Sequence, residues 1–341
     1  MSYEKGEIYF VREKSGRDGQ RTPFIKIGLV RYKEKRDSYN RLAEHQTGNP
    51  RTLELVPEEI VVTDAVDMVE AQLHRVFAKY RVSGEWFEFP SDDLVAKAVL
   101  QAKELASEVA PLVPKLVEAE KLKNVKSNGL SKAPSLENKE SANKLAIAKE
   151  RIVNCNDLLK KINDLIAVAV DSGADVSEIA SKTVKKYAPK FLVDEFMEAY
   201  PDLYEKYMTE VSSWEQRFLL KTKPLQEGGI GEEFESIISG IALVLDSKNA
   251  HEDLAALNEP KLALTHLKGL AEWDVQVQTA ELKLSLGEFD ELEGVCTWKR
   301  YSKVGLAFDS NLFAAENPDL AIKFVSLPVE KTYVNAKKSK I

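Results

Sequence analysis

Glu7-Ile8-Tyr9-Phe10-Val11 and, beyond a charged stretch over residues 12–21, Phe24-Ile25-Lys26-Ile27-Gly28 decide the fold class of this chain. Both runs are rich in side chains that favour extended backbone, and the Gly-containing stretch between them suits a hairpin loop. Gly28 ends the second strand or lets another group approach closely. Residues 34–46 hold neither Pro nor Gly and predict a helix, which Thr47-Gly48-Asn49-Pro50 stops. An extended stretch over residues 52–62 follows, interrupted at Pro57. Asp64 is placed to cap the next helix, with Asp67 three positions on in a capping-box-like place. That helix is expected to reach about Tyr80, with Val66, Val69, Leu73, Val76 and Phe77 on one apolar face. Gly84-Glu85-Trp86-Phe87-Glu88-Phe89-Pro90 closes the unit as a short aromatic strand. The order β-β-α-β-α-β predicts a compact α+β domain of roughly ninety residues.

The full chain of 341 residues suits two or three domains, and 44% hydrophobic with 30% charged residues suits a globular protein. A net charge of −7 argues against a polycationic wrapper of nucleic acid. Lys and Arg nevertheless crowd residues 12–51, so a phosphate-binding surface is expected to be local and N-terminal. Cys155 and Cys296 are far apart and form no CxxC pair, which predicts reduced structural thiols rather than a zinc cluster or a disulfide scaffold. No run approaches the roughly 20 apolar residues of a membrane span, so the expectation is a cytoplasmic protein of a bacterial cell or a virus-infected host cell, with no membrane partner.

A helical pattern over residues 92–123, bent or broken at Pro111 and Pro114, leads away from the first domain. Residues 124–140, with Asn, Ser, Lys, Gly and Pro, predict a flexible linker. Further on, Phe196-Met197-Glu198-Ala199-Tyr200-Pro201-Asp202-Leu203 aligns without gaps to Phe313-Ala314-Ala315-Glu316-Asn317-Pro318-Asp319-Leu320. Thr183-Val184-Lys185-Lys186 echoes Thr297-Trp298-Lys299-Arg300, and Phe218 and Tyr333 fall in similar places near the ends. The echo predicts a duplicated helical module jointed near Gly228 and Gly231; chance similarity of two helix starts with Pro in the first turn is the alternative. The expected division is a domain over residues 1–92, helix and linker over 93–140, one helical copy over 141–225 and a second over 226–341.

Chemistry concentrates in the first domain. At 100° per residue Glu70 lies within about 40° of the apolar centre of its helix. A carboxylate there is desolvated unless it meets a cation or donors. It either holds a metal ion or reaches solvent or an arginine at the core edge. His74, one turn on, reads as a packed or orienting histidine. Arg41 and His45 share a face of the preceding helix, where they grip phosphate oxygens or, with Lys33 and Arg36, form a solvated positive face. Trp298, flanked by Lys299 and Arg300, either stacks on a base or anchors a helical hairpin.

Glu7-Ile8-Tyr9 and Lys26-Ile27-Gly28 resemble the two signature elements of GIY-YIG nucleases, with Arg41, His45 and Glu70 in the places of that superfamily's helix arginine, downstream histidine and metal-binding glutamate. The run from Glu70 to Phe77, followed by Arg81 and Gly84-Glu85-Trp86-Phe87, is similar to its phage-associated and fungal meiotic-gene branch. Two departures stand out: Glu7 replaces the first Gly of GIY, with Gly6 adjacent, and Lys26 replaces the YIG tyrosine. Residues 279–333 resemble the tail of YqaJ-like recombination exonucleases, without the catalytic core of those enzymes.

The resemblance implies a small three-layered nuclease domain, which the internal echo extends with mainly helical, duplicated modules. It further implies hydrolysis of DNA phosphodiester bonds with Mg²⁺, or Mn²⁺, held by Glu70. Tyr9 would assist the attacking water, Lys26 would replace the second phenol or hold a phosphate, and Arg41 with His45 would face the scissile group. Nucleic acid, expected to be DNA, is the implied partner, with a protein partner open to the C-terminal modules. A relative with a decayed centre that binds without cutting is the alternative.

Overall fold

The computed structural model describes residues 3–47, 49–172, 180–221, 223, 231–246 and 254–336. Ten elements build the N-terminal part: β1 (Gly6–Lys14), β2 (Arg21–Arg31), α1 (Ser38–Gln46), β3 (Thr52–Leu55), β4 (Val61–Thr63), α2 (Val66–Val76), β5 (Arg81–Ser83), β6 (Trp86–Glu88), α3 (Asp92–Val109) and α4 (Val113–Leu122). β1 pairs antiparallel with β2 on one edge and with β3 and β4 on the other, and β6 and then β5 extend the sheet beyond β2.

Strand alternation sorts the side chains into three layers. Ile8, Phe10, Ile25 and Ile27 face α2 and α3, meeting Val69, Leu73, Val95 and Val99. Tyr9, Val11 and Val30 face the other way, against Leu42 of α1. Arg12 ties the sheet to the first turn of α3 through Glu59 and Asp92.

Asp37 caps α1 in a reciprocal capping box with Asn40. The cap expected at Asp64 is not formed. Asp64 lies 3.8 Å from Lys5 and Asp67 pairs with Arg31, while the first free N–H of α2, on Val66, donates to the Glu4 carbonyl at 3.0 Å. A backbone acceptor thus does the work of a capping side chain.

The remaining elements are β7 (Ser131–Lys132), α5 (Leu136–Asp171), β8 (Ala180–Tyr187), α6 (Val193–Ala199), α7 (Pro201–Lys206), β9 (Met208–Leu220), α8 (Glu232–Leu245), α9 (Asn258–Leu286), β10 (Glu291–Leu292), β11 (Cys296–Phe308), α10 (Ser310–Glu316), α11 (Pro318–Ala321) and β12 (Val329–Ala336). The long helices α5 and α9 share one core: Leu158, Ile162 and Ile166 meet Leu264, and Ala142 and Leu145 meet Leu282 and Leu286. α9 also docks on the first domain, where a side chain at Gly269 would collide with the Arg75 guanidinium at 2.6 Å.

Several expectations change here. The linker over residues 124–140 is tied down rather than free: Ser127 N–H donates to the Arg300 carbonyl, Asn128 N–H to the Glu288 carbonyl, and β7 pairs in parallel with β10. The boundary at residues 140–141 falls inside α5. The C-terminal region is largely helical, as expected, but it also carries long strands. β9 pairs antiparallel with β11 at the edge of a four-stranded sheet of order β7-β10-β11-β9, and β8 pairs antiparallel with β12 in a two-stranded one. Trp298 lies in a strand, not a helical hairpin, and both it and Arg300 are buried. Arg300 donates to the carbonyls of Leu122 and Gly287 at the C-terminal ends of α4 and α9, at 2.8 and 2.6 Å. It is therefore committed to the electronegative ends of two helices and is not exposed for phosphate. Gly228, the Tyr333 side chain and the boundary expected at residues 225–226 lie outside the described residues. Cys155 and Cys296 are buried thiols, pushed up to about 11 and about 12 by desolvation.

Candidate functional site

Register brings the two motif strands together: Tyr9 stands opposite Gly28, and Val11 opposite Lys26. The Tyr9 ring lies over residue 28, where a Cβ would come within 2.5 Å of the hydroxyl oxygen, so only glycine leaves room for the phenol. A second close approach accounts for the altered first motif. A Cβ at Gly6 would sit 1.9 Å from the Val30 carbonyl oxygen, so the sterically required glycine is Gly6 and not position 7. Glu7 is then free for another task. Its carboxylate accepts from the Ser38 N–H at 3.0 Å and the Ser38 hydroxyl at 2.5 Å, fixing the first turn of α1 against β1.

With α1 anchored in this way, His45 reaches the sheet. Its Nε2 and the Tyr9 hydroxyl share a hydrogen bond of 3.2 Å. Arg41, one turn earlier, pairs with Glu44 and lies beside the same hydroxyl. Burial pushes the Tyr9 phenol up to about 12, against the opposing pull of the Arg41 guanidinium, so it keeps its proton at neutral pH. Burial first, then the charges of Lys26 and Arg41, hold His45 below the usual imidazole range, which leaves it neutral and able to accept a proton.

α2 approaches from the opposite layer. β6 pairs with β2 over Phe24, Ile25 and Lys26, and the Ile27 N–H donates to the Glu85 carbonyl at 3.1 Å. His74 Nε2 donates to the Ile27 carbonyl at 3.0 Å, which makes it a tether between helix and strand and keeps it out of the reactive cluster. Glu70 lies one turn before it. Its carboxyl is pushed up to about 7, chiefly by burial, with further repulsion from Glu85 and Asp67 and relief from Arg31 and Lys26. Among the described residues it has no hydrogen bond or ion pair.

Glu85 is the residue that sequence reasoning did not assign. It follows Gly84, whose φ of 55° makes the tight turn between β5 and β6, and its carboxylate pairs with the nearly buried Lys26 ammonium. That pairing outweighs its partial burial and holds Glu85 below the usual carboxylate range. The signal in the sequence was the Gly-Glu-Trp-Phe run, which reads equally well as a plain aromatic strand. Arg81 completes the group, its charge felt by Glu70 and Glu85. Tyr9, Lys26, Arg41, His45, Glu70 and Glu85 thus fall within one electrostatic neighbourhood.

Most of the N-terminal cations are compensated. Arg12, Lys14, Arg21, Lys26, Arg31, Lys33, Arg36, Arg41 and Arg51 each pair with a Glu or Asp. Among the described residues no group of three or more His, Cys, Asp or Glu side chains is disposed to hold a metal ion, and no helix is long and apolar enough to cross a membrane.

Comparison with curated proteins and with solved structures returned no match. No family match extends over the C-terminal part, and the likeness to YqaJ-type tails goes unsupported. Residues 6–104 match the family model of the T5orf172 domain, and the N-terminal domain accordingly has a GIY-YIG-related fold.

Proposed function

We propose that the N-terminal domain is a divalent-metal-dependent endonuclease acting on DNA phosphodiester bonds. What supports this reading is the Tyr9–His45 hydrogen bond with the Arg41 guanidinium beside the same hydroxyl, together with the partly buried Glu70 carboxylate, which has no hydrogen bond or ion pair among the described residues and whose charge is felt at Tyr9. A hydrated Mg²⁺ or Mn²⁺ would offset the desolvation of Glu70, and the hard oxygen donor suits either ion. Mg²⁺ keeps most of its waters, so one protein carboxylate is a sufficient anchor. When bound, the ion supplies Lewis-acid polarisation of the phosphate and stabilises charge on the leaving oxygen. Tyr9, still protonated, orients the attacking water, and neutral His45 takes a proton passed through the phenol. Arg41 offsets charge gathering on the phosphate oxygens.

Incubating the full chain with plasmid and with branched or single-stranded DNA in Mg²⁺ and in Mn²⁺, beside Glu70→Ala and Arg41→Ala, tests the reading. Cleavage by the parent chain that both substitutions abolish is the expected result, and cleavage unchanged in both would defeat it. One observation favours a second reading, a domain that binds nucleic acid without cutting it: Lys26 replaces a phenol and is engaged by Glu85. Saturable DNA binding with no nicking in either metal would favour it.

We further propose that the C-terminal hairpins are duplicated units paired about a local two-fold axis. Phe191 and Phe308, Phe196 and Phe313, and Tyr207 and Phe324 each stand 117 positions apart. Their contacts repeat under that shift. Leu192 N–H donates to the Phe324 carbonyl as Asp309 N–H donates to the Tyr207 carbonyl, at 2.7 and 3.0 Å. Phe196 meets Phe324 edge-on at 5.2 Å as Phe313 meets Tyr207 at 5.2 Å. Phe196 and Phe313 touch each other across the centre at 4.4 Å.

A further inference from the structure

We infer that the buried cluster of Trp298, Arg300 and Lys283 is a binding site for a phosphate group, free or carried by a small molecule, admitted through the cavity beside Lys283. The inference is independent of the nuclease reading.

The first observation is a surplus of donors. Trp298 and Arg300 stand two positions apart on β11, so their side chains leave the same face of the strand, and both are fully buried. The guanidinium lies over the indole, its Cζ 4.0 Å from the ring centre. Two of its nitrogens donate to the Leu122 and Gly287 carbonyls, while its Nε has no acceptor, and neither has the Trp298 indole N–H. Lys283 of α9 comes to the same ring, with its Nζ 4.6 Å from the centre, and among the described residues its ammonium makes no hydrogen bond or ion pair. The π face offsets part of each charge. Three unmet donors are still gathered around one indole, and none of these side chains offers an acceptor.

Charge points the same way. Burial first, then the charge of Lys123, pushes the Lys283 ammonium down to about 8, with Glu120 opposing the shift and Arg300 adding to it. Glu120 is itself paired with Lys123. At Arg300, burial outweighs the pull of Asp290 and Glu288. A water molecule would bring two further protons into a cluster made of donors, whereas an anion supplies acceptors and charge together. A divalent oxyanion matches both cations and has oxygens enough for all three donors.

Access completes the case. A cavity of about 190 Å³ is lined by Lys283, Glu120, Tyr3, Gln276 and Thr279 among others, so Lys283 belongs to both the cavity and the cluster. A nucleic-acid backbone does not reach the buried Arg300, but a small anion passing Lys283 does.

The chain has four tryptophans, so ¹H–¹⁵N spectra of the labelled full-length protein carry four indole signals, and Trp298→Phe identifies that of Trp298. Inorganic phosphate is titrated in EDTA, without nucleic acid, against sodium chloride at equal ionic strength. The expected result is a saturable shift of the Trp298 signal larger than that of the other indoles, with a melting temperature that rises with phosphate. Lys283→Met keeps the apolar stem and should weaken the affinity about tenfold, the loss of one charge-assisted hydrogen bond, while circular dichroism verifies its fold. A Trp298 signal insensitive to phosphate, an equal shift in chloride, a shift without saturation or an unchanged affinity in Lys283→Met would each overturn the inference. Adenosine 5′-monophosphate titrated in parallel tells the source: a response confined to inorganic phosphate supports a free ion, and a response to both supports a monoester held by the same donors. No metal or DNA enters the titration, so a chain that binds phosphate here without cutting DNA sinks the nuclease alone, and one that cuts without binding sinks this site alone.

Discussion

The phenol of Tyr9 occupies the space that a side chain at residue 28 would fill, 2.5 Å from where its Cβ would lie. The two residues are cross-strand partners in the β1–β2 pair, so the ring crosses the strand at the one place where nothing rises from it. Gly28→Ala therefore has to displace the hydroxyl from His45. The expected result is a folded protein destabilised by about 1–3 kcal/mol, as overpacking typically is, with cleavage down at least tenfold. Urea unfolding and a nicking assay measure the two effects, and full activity in Gly28→Ala would show that the Tyr9 position does not matter.

Lys26 is nearly buried, whereas Glu85 is less so, and their pairing is the main compensation for the ammonium. Removing one partner leaves a charge desolvated; removing both does not. Glu85→Gln is expected to lower stability by roughly 1–3 kcal/mol, less than for a fully buried pair because Glu85 keeps access to water. The double substitution Lys26→Met with Glu85→Gln should recover most of the loss. A double-mutant cycle by thermal or urea unfolding gives the coupling directly, and additive losses would mean that the pair is only a surface contact.

Glu70 gives a pH signature. Its carboxyl titrates near 7 in the folded chain against an ordinary value of 4.5, so the folded state holds the proton more tightly than the unfolded one. That contribution to stability is fully present below about pH 4.5 and is lost as the pH rises through 7. Glu70→Gln should therefore gain stability relative to the parent between pH 5 and pH 8, by up to about 3 kcal/mol. A divalent ion at this carboxylate competes with the proton, so Mg²⁺ or Mn²⁺ should stabilise the parent more at pH 8 than at pH 5 and leave Glu70→Gln unmoved. Melting curves with and without metal at both pH values decide it.

Arg300 is fully buried, 4.0 Å from the Trp298 ring, and donates to the terminal carbonyls of α4 and α9. Arg300→Ala removes a charge that two helix ends require and leaves a cavity beside the indole. A loss of about 3–5 kcal/mol is expected, seen as earlier urea unfolding. Hydrogen exchange should localise the loosening to residues 113–122 and 280–300. Protection unchanged in that region would mean that the junction is held by apolar packing alone.

Much of the N-terminal architecture was legible along the chain because its information is local. Alternation in residues 7–11 and 24–28 and the apolar stripe from Val66 to Phe77 prescribe which faces are buried. The resemblance singled out Tyr9, Arg41, His45 and Glu70, and a strand and two helices form over these positions. The Glu7 departure was legible as an oddity but not as a device, since the need for glycine at position 6 depends on the Val30 carbonyl lying across the strand pair.

What the sequence by itself determined is the kind of each segment in the first domain and the chemical type of its candidate residues. Tertiary structure alone decided which charges meet: Lys26 with Glu85, Arg31 with Asp67 and Arg300 with two helix ends, each joined across segments far apart in the chain. It also decided that residues 180–220 and 296–336 run as long paired strands beside short helices, because a strand without a regular apolar alternation takes its identity from the partner that satisfies its backbone hydrogen bonds. Periodicity records how a segment meets water; it does not record which distant segment it will meet.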